Sequence, residues 1–263
     1  MSEAQKIIKY LAIAFAIFLI VTIFSGIAGG IYGLFTLGDG FISNQNIEEK
    51  CKNTEEYCLQ INLAASNLTI KTGESLKVDT KNDKIETTID GNKLIITEKG
   101  RHLFDSYDDR DVILYLPESS IYDQMYISGG TGNIKIETLK TKNLEMSLGV
   151  GGSEIAVLEA EKANISTGIG DTRIDSLEVE DAKISAGIGK TTVGLKSKAE
   201  DYSIEVSKGI GSITLNGSSV SDDDTIGSGA RKLDISGGIG SIEITTAQEK
   251  PWKNRRYRRF FIA

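Results

Sequence analysis

The sequence predicts an all-β protein, a parallel β-solenoid of about six rungs preceded by an N-terminal transmembrane helix. Three observations predict this architecture: a repeat of about 19 residues, apolar residues at every second position within it, and one long uncharged apolar run near the amino end. A repeat of this length with short alternating runs is typical of stacked solenoids. An uncharged apolar run of more than about 20 residues is typical of a membrane span.

The apolar run comes first in the chain. No charged side chain occurs between Lys9 and Asp39, and we expect residues 10–36 to form a transmembrane helix. Lysines precede this segment and acidic residues follow it. The positive-inside rule therefore predicts a single-pass protein of the cell membrane, with a cytoplasmic stub at residues 1–9 and an extracytoplasmic C-terminal domain.

Two alternatives concern the same segment. It has the basic start of a cleaved signal peptide, with small Gly26 and Ala28 at cleavage-site positions, although the apolar run continues past them. A retained helix offers small-xxx-small pairs, Gly26 with Gly30 and Gly29 with Gly33, which favour dimerisation and hence a homo-oligomer. Glycines are also simply common in membrane helices. The retained helix and the signal peptide both export the rest of the chain.

Residues 37–59 are expected to be a juxtamembrane linker, and they contain the two cysteines of the chain, Cys51 and Cys58. Outside the cell these two residues can close a small loop as a disulfide, and two free thiols are the alternative. A metal site is not predicted, because two sulfur ligands without histidine fall short of the four that zinc requires.

Residues 60–248 are expected to form the β-solenoid domain, of which residues 60–117 are lead-in strands that cover the first rung. Short alternating runs fill this part, and an Asp-Gly-Asn sequence at residues 90–92 predicts a hairpin turn. Four aspartates gather at residues 105–111 beside His102. A solvated acidic loop is the simpler interpretation, since their spacing matches no calcium-binding loop.

Residues 118–248 carry the repeat itself. The first three steps between successive Gly-x-Gly pairs are each 19 residues, and a serine stands two residues before every pair. Glycine tolerates the positive φ angles of tight turns, so these glycines are expected at the turns between strands. They are Gly130, Gly132, Gly149, Gly151, Gly168, Gly170, Gly187, Gly189, Gly209, Gly211, Gly238 and Gly240.

Each copy is expected to contribute two strands of about five residues with a corner at each end. The apolar residue between the two glycines, such as Ile169 or Ile188, is expected to plug the corner of the core. Identical residues should form ladders along the stack, and the serine ladder should satisfy backbone groups at the corners. The last two copies are longer, and their extra residues, including about residues 217–231, should leave the stack as loops: a binding face or tolerated insertions.

The tail, residues 249–263, reverses the charge of the chain. The net charge is −7, yet the last 14 residues contain six cations and no acidic side chain. Two compatible roles are expected: docking on an anionic surface such as phospholipid heads or an acidic wall polymer, or capping the last rung. Nucleic acid is not expected, since an exported domain rarely meets it. The candidate surface-binding residues are Trp252, Lys253, Arg255, Arg256, Arg258 and Arg259.

Several motifs carry a family resemblance over roughly residues 60–246. They are the IKTGESLKV-type strand, the VILYLP segment before the repeats, and the rungs GIGDTRI, GIGKTTV, GIGSITL and GIGSIEI. With the membrane helix before them, they resemble the bacterial putative-adhesin family of β-strand-repeat domains of unknown function. The resemblance implies an envelope protein, with some members encoded beside envelope-stress regulators. It carries over no catalytic or ligand residue.

The predicted function is therefore a membrane-anchored, extracytoplasmic, non-enzymatic protein for cell-envelope binding, adhesion or scaffolding. Its expected partners are the membrane, a cell-wall polymer, an envelope protein or another copy; no cofactor, metal or catalytic residue is predicted. An accessory protein of envelope-stress signalling is the alternative. A carbohydrate-active β-helix enzyme is the third, and it would require converging carboxylates, for which Asp222–Asp224 and the aspartates of residues 105–111 are the only clusters.

Overall fold

The computed structural model describes residues 51, 56–99, 110–221 and 225–247. Within them, strands alternate with short connections, and one 3-10 helix, η1, covers Ala199–Asp201. The strands are β1 (Cys58–Leu63), β2 (Asn67–Gly73), β3 (Lys77–Thr80), β4 (Ile85–Asp90), β5 (Lys93–Glu98), β6 (Asp111–Pro117), β7 (Tyr122–Thr131), β8 (Ile134–Val150), β9 (Ser153–Ile169), β10 (Thr172–Ile188), β11 (Thr191–Leu195), β12 (Tyr202–Leu215), β13 (Ser218–Ser219), β14 (Thr225–Ile226) and β15 (Arg231–Thr245).

Successive copies of the repeat pair in parallel. Strand β8 pairs with β9 and β9 with β10, so that Met146 lies opposite Ile165 and Ile165 lies opposite Ile184. Equivalent residues therefore form ladders with one step per rung, about 4.8 Å in a paired sheet. The prediction of an all-β protein with a mostly parallel sheet is confirmed.

Each 19-residue copy is one long strand rather than two short ones. Strand β10 spans 17 residues and pairs with β9 along its length, except where pairing is interrupted at Asp175, Glu180 and Gly187. The first two interruptions are also where the buried positions change phase, from Ile174 to Leu177 and again after Val179. Such a slip re-aims the side chains and bends the strand, as a β-bulge does. The predicted pair of five-residue strands is therefore wrong: a copy has three straight segments.

The strands before the repeats add two rungs to the stack, out of sequence order. Strand β1 pairs in parallel with β7 on one side and β5 on the other, and β2 pairs in parallel with β8 and β6. The rung made by β1 and β2 therefore lies between the repeats and the rung made by β5 and β6. The antiparallel strands β4 and β3 finish this end of the stack.

The opposite end is also out of sequence order. Strand β15 pairs in parallel with β10 and β11 on one side and with β12 on the other. The sixth glycine pair, in β15, therefore lies between the fourth and the fifth. Strand β12 forms the last full rung, and the short antiparallel strands β13 and β14 pair with its outer edge.

A buried carboxylate holds the turn between β1 and β2. Glu98, which is 6% exposed, accepts hydrogen bonds at Oε2 from the backbone N–H groups of Ala64, Ala65 and Ser66, at 2.9, 2.9 and 3.1 Å. Its Oε1 accepts from Ser66 Oγ and Asn82 Nδ2 at 2.9 and 3.1 Å. One side chain thus satisfies three consecutive amides, which would otherwise be left without protein acceptors in a partly buried turn.

Candidate functional site

The last segment of each rung and the glycine turn after it present one continuous outward surface, which we call the contact face. In β10 its members are Asp181, Lys183, Ser185 and Ile188, while Ala182, Ile184 and Ala186 between them are buried. Because the rungs are in register, the same four positions recur in neighbouring copies as four columns. The contact face therefore changes from polar to aliphatic across its width. The serine and aliphatic columns keep their residue type along the stack, whereas the other two columns change from rung to rung.

The aliphatic column, which we call the isoleucine ridge, consists of the residues between the paired glycines. Strand pairing places these residues side by side over five rungs, a length of about 19 Å at the usual strand spacing. All of them are 45 to 70% exposed. In stack order they are Val150, Ile169, Ile188, Ile239 and Ile210.

The ridge corrects the expectation that these residues plug the core. The second glycine of each pair has a φ between +140° and +147°, and this turn rotates the preceding side chain outward. The glycines on both sides of the ridge carry no side chain that could cover it. Backbone of the neighbouring rung lies where a Cβ atom would project from either glycine of most pairs. Close packing of the turns thus forces glycine there and leaves the ridge bare.

The serine ladder lies beside the ridge. Ser128, Ser147, Ser166 and Ser185 stack in register, followed by two further serines in β15 and β12. These side chains face outward, and the hydroxyl of Ser236 in β15 donates to Ser185 Oγ at 2.9 Å. The ladder thus runs along the contact face, and this bond links two of its neighbouring steps.

Two charged and amide columns complete the contact face and enclose an open groove of about 390 Å³, which we call the polar groove. Strand pairing aligns the residues of each column across β7, β8, β9 and β10. One column contains Gln124, Asn143, Lys162 and Asp181, and the other contains Tyr126, Glu145, Asn164 and Lys183.

Three side chains that line the polar groove have no side-chain partner. Lys162, Asn164 and Asp181 make no side-chain hydrogen bond or ion pair within the described part of the chain. At the edge of the groove, Lys183 pairs with Asp234 at 3.6 Å. Some other outward charges of the stack are paired as well, including Lys135 with Glu154 at 3.7 Å. The polar groove therefore contains three neighbouring side chains whose hydrogen-bonding groups are not used within the described part of the chain.

Elsewhere on the stack, ion pairs bridge neighbouring rungs and shift pKa values. Lys196 Nζ lies 2.6 Å from Glu178 and 3.1 Å from Glu159. Its hydrogen bond is the main reason that the pKa of Glu159 is lowered, and the bond to Glu178 is the main reason that the pKa of Lys196 is raised. Beside the contact face, Lys142 lowers the pKa of Asp123 in the same way.

Replacing Lys196 with methionine should make the thermal stability of the protein less dependent on pH. The lowered pKa of Glu159 means that its contribution is present above the unfolded-state pKa and is lost as pH falls through the folded-state pKa. The melting-temperature gap between wild type and Lys196→Met should therefore be small but measurable at pH 7 and should close toward pH 3. Lys135→Met, which removes a longer exposed pair, is the control and should show a smaller gap at pH 7. A gap that is unchanged at pH 3 would contradict this interpretation.

Other predicted site residues are placed as follows. Cys51 and Cys58 form a disulfide, and both are buried. The predicted transmembrane helix at residues 10–36, the aspartates of residues 105–109 and 222–224, and the cationic tail at residues 249–263 lie outside the described residues.

The described residues contain neither a membrane-spanning helix nor a cluster of metal ligands. None of their helices has the length and apolar character needed to cross a bilayer. Within the same ranges, no three histidine, cysteine or acidic side chains come together in a way that could hold a metal ion.

Sequence reasoning missed the isoleucine ridge and the polar groove, although both left signals. The sequence signal of the ridge is an aliphatic residue between two glycines, because glycine has no side chain that could bury its neighbour. The sequence signal of the groove is the alternation of polar residues with small apolar ones, as in Asp181-Ala182-Lys183. Which of these polar residues lack partners depends on contacts between rungs and cannot be read from one copy.

Comparison with known proteins finds one family model and several solved structures that are similar to this chain. A family model described as Toastrack DUF4097 matches residues 42–219. Among solved structures, a protein described as a putative cell adhesion protein from Clostridium sporogenes is 19% identical, with 74% of this chain and 95% of that chain covered and a TM-score of 0.47. A putative adhesin from Bacteroides fragilis is 12% identical, with 73% and 93% covered and a TM-score of 0.41. None of the curated proteins matches the chain.

Proposed function

This chain belongs to the Toastrack DUF4097 family, and we propose that it is a non-enzymatic binding protein of the cell envelope, acting in adhesion or as a scaffold. Its extracytoplasmic domain is held at the membrane by residues 10–36, whose uncharged apolar sequence supports a single span with the amino end in the cytoplasm. Resistance of the full chain to alkaline extraction from membranes is the corresponding test.

The observation that carries the proposal is the isoleucine ridge. Exposed aliphatic side chains that form a contiguous patch, unlike single scattered ones, often mark contact surfaces. Fully burying one such side chain is worth about 1.5–3 kcal/mol, so a partner that covers the ridge gains several kcal/mol. A rigid stack whose ridge is aligned by its own backbone needs little ordering on binding.

The arrangement of polar groups supports binding rather than catalysis. The serine ladder repeats one hydroxyl per rung, and a serine nucleophile would require a base within hydrogen-bond reach. The single histidine of the chain, His102, lies outside the described residues. Surfaces of repeat stacks are suited to extended partners, because the same side chains recur at a constant spacing. Wall polymer, an envelope protein or a second copy of the chain are the proposed partners.

Replacing Ile169, Ile188 and Ile239 together with threonine should abolish adhesion without unfolding the domain. Threonine keeps the β-branched shape that suits a strand, and outward positions usually change stability by less than about 0.5 kcal/mol each. We expect beads that carry the full chain in lipid nanodiscs to bind isolated envelopes of the source cells, and the threonine variant to lose at least about 90% of this binding, the tenfold effect of 1.4 kcal/mol.

The matched control replaces the same three residues with valine, which has the shape of threonine but remains apolar. The valine variant should bind envelopes nearly as well as wild type, and both variants should melt within a few degrees of it. Equal binding by the threonine and valine variants would rule out the ridge as the contact surface. Wild-type beads that bind no better than empty nanodiscs would rule out adhesion.

A further inference from the structure

We propose that the polar groove is a binding site for a linear, hydroxyl-rich oligosaccharide that lies along the stack axis, one sugar unit per rung. This inference rests on the proposed function only for the view that the contact face meets a partner. It uses a different set of residues from the isoleucine ridge, so the two can fail separately.

The first argument is that three neighbouring side chains of the groove have unused hydrogen-bonding capacity. Lys162, Asn164 and Asp181 are exposed, lie on adjacent strands and have no side-chain partner within the described residues. Lys162 and Asp181 are opposite in charge and are paired in register, yet they do not form an ion pair. A smaller depression of about 280 Å³ on another side of the stack contains Lys135, Glu154 and Arg173, and each of these charges has an ion-pair partner.

The second argument is the chemistry of these three groups. Lysine only donates hydrogen bonds, ionised aspartate only accepts them, and the asparagine amide does both. A sugar hydroxyl also donates and accepts, so a strand of sugar units can satisfy all three at once. Tyr126 lies in the same groove, next to Glu145, and its ring offers an apolar face of the kind against which the C–H face of a sugar packs.

The third argument is spacing. Each column of the groove presents one side chain per rung, about every 4.8 Å along the stack. An extended peptide repeats its side chains on one face every two residues, about 6.7 Å, and would fall out of step within two rungs. A pyranose unit in a linear chain is close to one rung in length. The ladder therefore favours a sugar strand over an extended peptide.

The fourth argument is charge. The central groups Lys162 and Asp181 cancel each other, and Glu145 and Lys183 do so beside them. Polyanions such as nucleic acids are held mainly by many cations that face their phosphates, an arrangement this groove does not have. An uncharged or weakly charged polymer with many hydroxyl groups fits a groove in which positive and negative side chains alternate.

The test is titration of the full chain in lipid nanodiscs, since sugar-based detergents would compete for the site. The probes are chitohexaose and cellohexaose, two linear hexasaccharides that differ in their acetamido groups. We expect saturable binding of at least one probe by calorimetry. The variants Lys162→Ala and Asp181→Ala should each weaken it about tenfold, the usual effect of losing a hydrogen bond to a charged group.

Two controls separate this inference from the proposed function. Lys135→Ala removes an exposed lysine from another side of the stack and should leave binding of the probe unchanged. The threonine variant of the isoleucine ridge should also bind the probe like wild type, even though it no longer adheres to envelopes. The inference is overturned if neither hexasaccharide saturates wild type up to about 1 mM, the range of a binding free energy of about 4 kcal/mol. It is equally overturned if the groove variants bind like wild type, and in both cases the ridge experiment still decides the proposed function.

Discussion

Replacing Gly151 with alanine should unfold the domain or nearly so, whereas the same change at the adjacent Gly152 should be almost neutral. Gly151 has a φ of +140°, and a Cβ atom there would collide with the carbonyl group of Gly132 in the neighbouring rung. Gly152 has ordinary φ, and the nearest atom to its added Cβ would be Asn133 Oδ1 at 3.5 Å. Strained φ and overpacking each cost about 1–3 kcal/mol, and together they rival the stability of many domains.

Chemical denaturation of the two variants measures this difference. We expect Gly151→Ala to lose about 3–6 kcal/mol of unfolding free energy and Gly152→Ala to lose less than about 1 kcal/mol. Gly91→Ala isolates the conformational part, because Gly91 has a φ of +56° and open space around its Cβ position. The loss of unfolding free energy in Gly91→Ala should lie between the losses in Gly151→Ala and Gly152→Ala. Equal stability of the Gly151 and Gly152 variants would mean that the turns are not packed as described.

Replacing Glu98 with alanine should be the most destabilising change of a charged side chain in the first part of the domain. The substitution removes the acceptor for the N–H groups of Ala64, Ala65 and Ser66 and for the Ser66 hydroxyl. A buried donor left without a partner, such as the Ser66 N–H, costs about 1–3 kcal/mol, and the part-buried N–H groups of Ala64 and Ala65 add to this, so a total loss of about 3–5 kcal/mol is expected. Urea denaturation followed by circular dichroism would measure it.

The matched controls are Glu98→Gln and Glu86→Ala. The glutamine side chain retains one carbonyl oxygen that can accept from the three amides. The unfolding free energy of Glu98→Gln should therefore lie between those of wild type and Glu98→Ala. Glu86 is an exposed glutamate of β4 that pairs with Lys99 at 2.6 Å. Its loss should change the unfolding free energy by less than about 1 kcal/mol, as for surface pairs in general. If Glu98→Ala is as mild as Glu86→Ala, the turn does not depend on the carboxylate.

The parallel stack could be predicted from the sequence because its cause is local and repeated. Copies of equal length place equal residues opposite one another, and glycine pairs mark one turn in every copy. The two other bends of β10, at Asp175 and Glu180, contain neither glycine nor proline. Only a change in the phase of the buried positions reveals them, and this change is easily overlooked in a single copy.

The outward direction of the ridge residues and the order of the rungs could not be predicted from the sequence, for different physical reasons. The buried positions Ile184 and Ala186 alternate with outward ones, and continuing this alternation would bury Ile188 as well. The turn at Gly187 and Gly189 ends the alternation and rotates the Ile188 side chain outward. The order of rungs at the two ends depends on pairings between strands that are far apart in sequence. No local pattern distinguishes β12 from β15, since both carry the same motif.

Both the first and the last described strands of the domain lie one rung inside the stack. Strand β1 is flanked by β5 and β7, and β15 is flanked by β12 on one side and by β10 and β11 on the other. Mechanical tension applied through the two ends would thus act along strands that are hydrogen-bonded at both edges. All of these hydrogen bonds would have to break together before such a strand could slide out. A strand at the rim could instead be peeled away one bond at a time. The order of the rungs therefore favours mechanical resistance of the domain to force applied through its two ends.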